Sequence, residues 1–301
     1  MQHNPTVEKL GNRTRAMTTT GSSAKRQDIE FHYDVGDDFY QLWLDPEMNY
    51  SAALWDGVDD LASAQEQKNA FHLEVINARA AQRILDVGCG WGALLRSARA
   101  LSPRAELVGL TLSSTQRKHC AESLPGAQIR LESWEHHTRT APYDAIVSVG
   151  ALEHFVNHRM TRIERIQTYA SFFRFCRDSM TPRARLSLQT IGYGDLPGGK
   201  LDPFIYESIF PNSDLPFLDE LVTAAHGTLE IMSLRNDRHD YAQTCAAWAE
   251  RLTRRVEQAV EVTSSADLVS NYIRYLKMSA AGFRAGSLAL YRLSLTPYPQ
   301  R

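Results

Sequence analysis

The sequence predicts an α/β protein built on a doubly wound, mostly parallel sheet. Three observations carry that expectation. Short apolar runs recur between residues 83 and 191, helical segments separate them, and the first run leads directly into a glycine-rich turn, Gly88-Cys89-Gly90-Trp91-Gly92. Strands covered on both faces by crossover helices read as continuous apolar runs rather than alternating ones. A glycine turn after the first strand is where folds of this class take a ligand.

Residues 1–28 are polar, rich in Thr, Ser and Arg, and are expected to form a disordered tail ahead of a single domain over 29–301. Phe31 to Trp55 mixes aromatic with acidic residues, and Phe39, Leu42 and Trp43 at helical spacing predict a packed helix and loop. From Asp59 to Ala80, the residues Leu61, Ala64, Lys68, Phe71 and Val75 recur at three and four, which predicts an amphipathic helix entered through an Asp cap. Strands are expected at Arg83–Val87, Glu106–Leu110, Ile129–Ser133, Ala145–Val149 and Arg185–Ile191, with a helix over Ala93–Leu101 after the glycines. Residues 195–219, dense in Pro, Gly and Asp, interrupt the pattern and are expected to form a lid insertion. A strand at Leu229–Leu234, helices at His239–Val260 and Ala266–Phe283, and a last strand at Ser287–Leu295 complete the chain.

Composition narrows the function. The chain has 301 residues, 43% of them hydrophobic, and 33 Lys+Arg against 35 Asp+Glu give a formal net charge of −2. That composition excludes collagen, coiled coil and full-length disorder. The balanced charge gives no broad basic field for nucleic acid or an anionic membrane, so neither partner is expected. Cys89, Cys120, Cys176 and Cys245 lie far apart without a CxxC pair, which argues against a disulfide framework and a structural zinc. With no apolar leader segment and no run near the ~18–20 residues of a membrane span, a cytoplasmic location is expected.

The strongest local signal is Ile84-Leu85-Asp86-Val87-Gly88-Cys89-Gly90-Trp91-Gly92. Dinucleotide sites need G-x-G-x-x-G with the helix N-terminus aimed at a pyrophosphate, whereas this chain has G-x-G-x-G after an acid at the strand end. The next strand ends Gly109-Leu110-Thr111-Leu112-Ser113-Ser114-Thr115-Gln116 without the acid that often binds ribose hydroxyls. Thr111 and Gln116 can hydrogen-bond a ribose or an amino-acid group, or the cluster can cap the following helix; the two readings are compatible. The glycine motif resembles motif I of class I S-adenosylmethionine-dependent methyltransferases.

Further motifs sharpen the resemblance. They are His32-Tyr33-Asp34, Trp43-Leu44-Asp45-Pro46, Met48-Asn49-Tyr50-Ser51, Trp134-Glu135, Ser148-Val149-Gly150-Ala151-Leu152-Glu153-His154-Phe155, Gln189-Thr190-Ile191, Ile209-Phe210-Pro211, Tyr241-Ala242-Gln243-Thr244 and Phe283-Arg284-Ala285-Gly286. Together they resemble the cyclopropane-fatty-acid and mycolic-acid synthase family from about residue 31 to 295. The resemblance implies a Rossmann-like sheet with an antiparallel C-terminal strand and added N-terminal helices. It also implies S-adenosyl-L-methionine as cofactor, released as S-adenosyl-L-homocysteine, with no metal. Tyr50, Ser51, Asp86, Gly88, Gly90, Thr111, Gln116, Trp134 and Gly150 are the implied cofactor contacts, with Trp134 either against the adenine or part of the core.

The departures point to the reaction. In the lipid synthases a bicarbonate ion, held by Cys, Glu, His and Tyr side chains, is the base. By resemblance Glu153 and Tyr241 keep their positions here, whereas Ala52 stands for the Cys and Gln189 for the His; Ile191 and Tyr33 belong to the same pocket. Cyclopropane formation must remove a proton from the transferred carbon, and simple methyl transfer does not. Related small-molecule N-methyltransferases use an E-H pair on their substrate amine, which Glu153-His154 matches. Glu153 can alternatively accept backbone N–H bonds, and His154 can cap a helix. His154 and His158 stand at i, i+4 without a third ligand, so no metal is expected. The sequence therefore predicts methyl transfer to nitrogen or carbon of a small metabolite in specialised metabolism, with Glu153, His154 and Tyr241 as catalytic candidates. The alternative is a lipid cyclopropane synthase with an altered bicarbonate pocket. A homo-oligomer is left open.

Overall fold

The computed structural model describes residues 35–195, 204, 209 and 213–299. The expected tail, Tyr33 and most of the 195–219 insertion lie outside the described residues. Seven strands form one sheet in the order β3-β2-β1-β4-β5-β7-β6: β1 Arg83–Val87, β2 Glu106–Thr111, β3 Gln128–Leu131, β4 Tyr143–Val149, β5 Met180–Tyr193, β6 Leu229–Asn236 and β7 Leu288–Pro297. β1 pairs in parallel with both β2 and β4, β2 with β3, and β4 with β5. The last strand, β7, runs antiparallel to both of its neighbours, the arrangement that the resemblance implied. The strand order reverses between β1 and β4, and a ligand crevice belongs outside the strand C-termini at such a switch point.

The helices are α1 Asp37–Gln41, α2 Leu61–Val75, α3 Ala93–Leu101, α4 Ser114–Ser123, α5 Arg162–Ser179, α6 Leu218–Ala225, α7 Arg238–Thr253, α8 Val256–Thr263 and α9 Ala266–Ala285, with a 3₁₀ turn at Leu152–His154. Several expected boundaries shift. α2 starts where Asp60 accepts the Ser63 N–H and ends well before Ala80. Its buried side runs through Leu61, Gln65, Lys68 and His72, while Phe71 and Val75 are only half-buried. The helix expected over His239–Val260 breaks between α7 and α8. Arg251 and Arg255 there reach back to the Leu44 and Leu42 carbonyls behind α1, a tertiary cause with no Pro or Gly to announce it.

α5 carries no glycine, but a Thr161–Glu164 capping box marks its start in the sequence. Its buried Arg165 pairs with Asp214 and Glu220 and so ties α5 to α6. On the other side of the sheet, Phe39 and Trp43 of the N-terminal segment pack edge-on against Tyr272 of α9 and Trp248 of α7 respectively. This aromatic layer closes over the C-terminal end of β1.

Candidate active site

The cofactor loop follows from β1. Gly88 has φ +84°, and a Cβ there would come within 2.6 Å of the Ala151 Cβ, so only glycine lets the loop pass beside the turn that follows β4. Gly90 has φ +54° and a Cβ on it would meet nothing within 4 Å; its face is open. The Gly88 and Cys89 N–H groups both donate to the Leu110 carbonyl, which pins the loop to β2.

In front of this loop lies a cavity of about 150 Å³. All nine residues expected to contact the cofactor line it: Tyr50, Ser51, Asp86, Gly88, Gly90, Thr111, Gln116, Trp134 and Gly150. Thr111 donates its hydroxyl to Gln116 Oε1 (2.8 Å), and Ser113 caps α4 at Gln116 N, the capping reading of that cluster; Thr111 and Gln116 both line the cavity. Trp134 lines the same cavity and packs against Phe155 and Phe172, with ring centroids 5.4 Å away in each case. The residues fit a nucleoside joined to an amino acid, since an aromatic wall, neutral hydrogen-bonding groups and an open glycine face converge on one cavity. Burial pushes the Asp86 carboxyl up to about 7, against the pull of Lys68.

Asn49 and Lys68 also line the cavity and were not singled out from sequence as contacts. Lys68 Nζ donates to Asn49 Oδ1 (2.8 Å) and Ser51 Oγ (3.2 Å). Asn49 is held by Asp45, which accepts from its side-chain amide and its backbone N–H. The cue was available: a lysine within an apolar helical stripe.

The catalytic candidates divide between two faces of one turn. His154 lines the cofactor cavity, its Nδ1 lies 2.9 Å from Ser213 Oγ, and burial lowers its pKa to about 4, so it stands neutral. Glu153 turns away from that cavity toward β5. Its Oε1 accepts the Ile191 N–H at 2.6 Å, the backbone role named as one alternative. Its Oε2 is buried and has no hydrogen-bond partner among the described residues. Burial raises the carboxyl to about 7. Ala52, Ile191 and Tyr241 belong to one apolar cluster, with Tyr241 stacked on Phe283 at 4.5 Å.

Gln189 is tied up by a network that the motifs do not announce. Arg292 Nε donates to Gln189 Oε1 (2.8 Å), which fixes that atom as the oxygen, and His72 Nε2 lies 3.2 Å from the same oxygen. His72 Nε2 therefore carries the proton, and Nδ1 accepts from Ser187 Oγ at 2.8 Å. Burial beside Arg292 and Lys68 holds His72 well below the usual imidazole range. The Arg292 guanidinium also pairs with Asp237 and donates to the Ala52 and Ala53 carbonyls. It is 1% exposed.

Residues 21–293 match the family model described as mycolic acid cyclopropane synthetase. The chain is 30% identical over 264 residues to the cyclopropane-fatty-acyl-phospholipid synthase of Escherichia coli, covering 87% of this chain and 65% of that protein. It thus spans just under two thirds of the length of that relative. It is 30% identical to the hydroxymycolate synthase MmaA4 of Mycobacterium tuberculosis, covering 87% of this chain and 90% of the relative. Among solved structures, the cyclopropane synthase MmaA2 from Mycobacterium tuberculosis superposes with a TM-score of 0.80 at 30% identity, over 90% of this chain and 98% of that one. The mycolic acid cyclopropane synthase CmaA1, complexed with S-adenosylhomocysteine and CTAB, also scores 0.80, at 28% identity over 90% of this chain and 98% of that one.

Proposed function

Because the chain belongs to the mycolic acid cyclopropane synthetase family of class I S-adenosylmethionine-dependent methyltransferases, we propose that it transfers a methyl group to nitrogen or carbon of a small metabolite in the cytoplasm, as a step of specialised metabolism. The observation that carries this reading is the rebuilt base pocket. The Gln189 oxygen is consumed by Arg292 and His72, and Ala52 offers only its backbone carbonyl, already bonded to Arg292. Those groups leave no free side-chain ligand at the two changed positions for a bicarbonate base. Glu153 keeps one buried carboxylate oxygen without a partner among the described residues. A carboxyl raised to about 7 can take the single proton that an amine or activated carbon gives up on methylation.

The cofactor supplies a methyl group on a cationic sulfonium. This chain's part is to hold the acceptor in line and exclude water, which accounts for most of the rate in a displacement of this kind. Asp86 and the neutral groups of Thr111 and Gln116 orient the donor; neutral His154, facing the same cavity, orients rather than protonates.

The test is mass spectrometry after incubation with trideuteromethyl S-adenosylmethionine and, separately, polar metabolites and phospholipids of the producing cells. Label in a polar metabolite with all three deuterons kept is the expected result. Label in acyl chains with one deuteron lost would identify a lipid cyclopropane synthase working with a different base.

A further inference from the structure

Lys68 reaches the cofactor cavity from α2, and its ammonium is buried, the residue being 3% exposed. Its two hydrogen-bond partners, Asn49 Oδ1 and Ser51 Oγ, are neutral, so one of its three N–H donors is left over. Among the described residues no carboxylate forms an ion pair with it. Asp45, the nearest acid along the network, is occupied by the Glu47 N–H and by the backbone and side-chain amides of Asn49. Asn49 cannot turn its amide round without losing Asp45, so its oxygen keeps the ammonium in place. A buried cation with only neutral partners is costly unless an anion joins it. Burial pulls Lys68 down to about 8 against the attraction of Asp45 and Asp86, which leaves it mostly protonated at neutral pH.

We infer that Lys68 binds the carboxylate of the cofactor's methionine moiety. The inference rests on the cofactor assignment of the cavity and extends it to a residue that the motifs do not name. S-adenosylmethionine carries one anionic group, that carboxylate, and two cationic ones, its ammonium and its sulfonium. Lys68 and Asp86 line the same cavity from α2 and β1, so one cation and one anion of the protein face the two charges of an amino acid. A charge-assisted hydrogen bond from the remaining N–H to the carboxylate is the strong kind, and it gives the buried ammonium a directly bonded anion beside the longer-range attraction of Asp45 and Asp86.

Calorimetry with S-adenosylhomocysteine and with its decarboxylated analogue tests this on the wild-type protein, Lys68→Met and Lys68→Arg. The wild type is expected to prefer the carboxylate-bearing ligand at least tenfold. Lys68→Met should lose that preference by weakening S-adenosylhomocysteine alone, and Lys68→Arg should keep part of it. Equal affinity of the wild type for both ligands would overturn the inference while leaving the cofactor site intact. So would a Lys68→Met protein that loses both ligands alike, since Lys68 would then be a strut for Asn49 and Ser51. A wild type that binds neither S-adenosylhomocysteine nor S-adenosylmethionine would overturn the cofactor assignment and the inference together. The wild-type comparison stands even if the methionine variant does not fold.

Discussion

Two neighbouring side chains, Glu153 and His154, come off one 3₁₀ turn and face different tasks. Glu153 is the proposed base, a carboxylate that burial raises to about 7. Glu153→Gln keeps an oxygen for the Ile191 N–H and removes the proton acceptor. Its turnover should fall by roughly 10²-fold or more, with S-adenosylhomocysteine affinity unchanged. In the wild type kcat should rise as pH passes through about 7 and the carboxyl ionises, and the variant should lack that limb. A variant with full activity and the same pH profile would remove Glu153 from proton transfer. Gly90 makes the complementary case. Its φ of +54° is one that Asp tolerates, so Gly90→Asp should fold while placing a carboxylate in the open face of the cavity. Calorimetry should show S-adenosylhomocysteine binding abolished with an unchanged circular dichroism spectrum.

At the scale of elements, β1, β2 and β4 were legible because each is an apolar run ended by a turn: β1 has its expected limits, and β2 and β4 differ from theirs by one or two residues. The strand expected at Ile129–Ser133 is instead Gln128–Leu131, alternating polar with apolar at the sheet edge, and β5 extends the expected Arg185–Ile191 to Met180–Tyr193. The cofactor wall was legible for the same reason, since motif residues at strand ends such as Asp86, Thr111 and Gly150 land on one cavity once the sheet forms. The polar interior was not. Lys68 was marked by its place in an apolar stripe, but Gln65, Asn69 and His72 complete a buried polar face of α2 that a rule putting polar residues outside cannot find. What keeps those groups inside is hydrogen bonds to residues outside the helix: Gln65 to the Ser51 carbonyl, Lys68 to Asn49 and Ser51, Asn69 to Ser97, and His72 to Ser187 and Gln189. Beyond Gln189 the network runs to Arg292 on β7, which joins β5, the Ala52–Ala53 loop and Asp237 before α7. Arg292→Met would leave Asp237 with only the half-exposed Arg235 as ion-pair partner and the Ala52 and Ala53 carbonyls without their donor, so a loss of about 3 kcal/mol is expected, read as a lower denaturation midpoint. Adding Asp237→Asn should recover part of it. Full stability in the single variant would show that the staple is dispensable.

The whole molecule registers the buried acid through the pH dependence of its stability. Glu153 has a folded pKa of about 7 against an ordinary 4.5. Below pH 4.5 the group is protonated in both the folded and the unfolded chain and favours neither. As pH rises from there the unfolded chain ionises first, the folded state binds more protons, and stability falls until the folded carboxyl also ionises near pH 7. The gap between those two values makes the loss on the order of 3 kcal/mol. Asp86 titrates in the same range, but no charged group figures among the causes of the Glu153 shift, so its contribution cancels between the wild type and Glu153→Gln. The difference in unfolding free energy between the two proteins should therefore grow in favour of the variant from about pH 4.5 to pH 7 and hold constant above that. Urea melts at half-unit pH steps measure it directly. A constant difference across that range would mean that Glu153 ionises normally in the fold, and a neutral-pH general base would have to be sought elsewhere in the molecule.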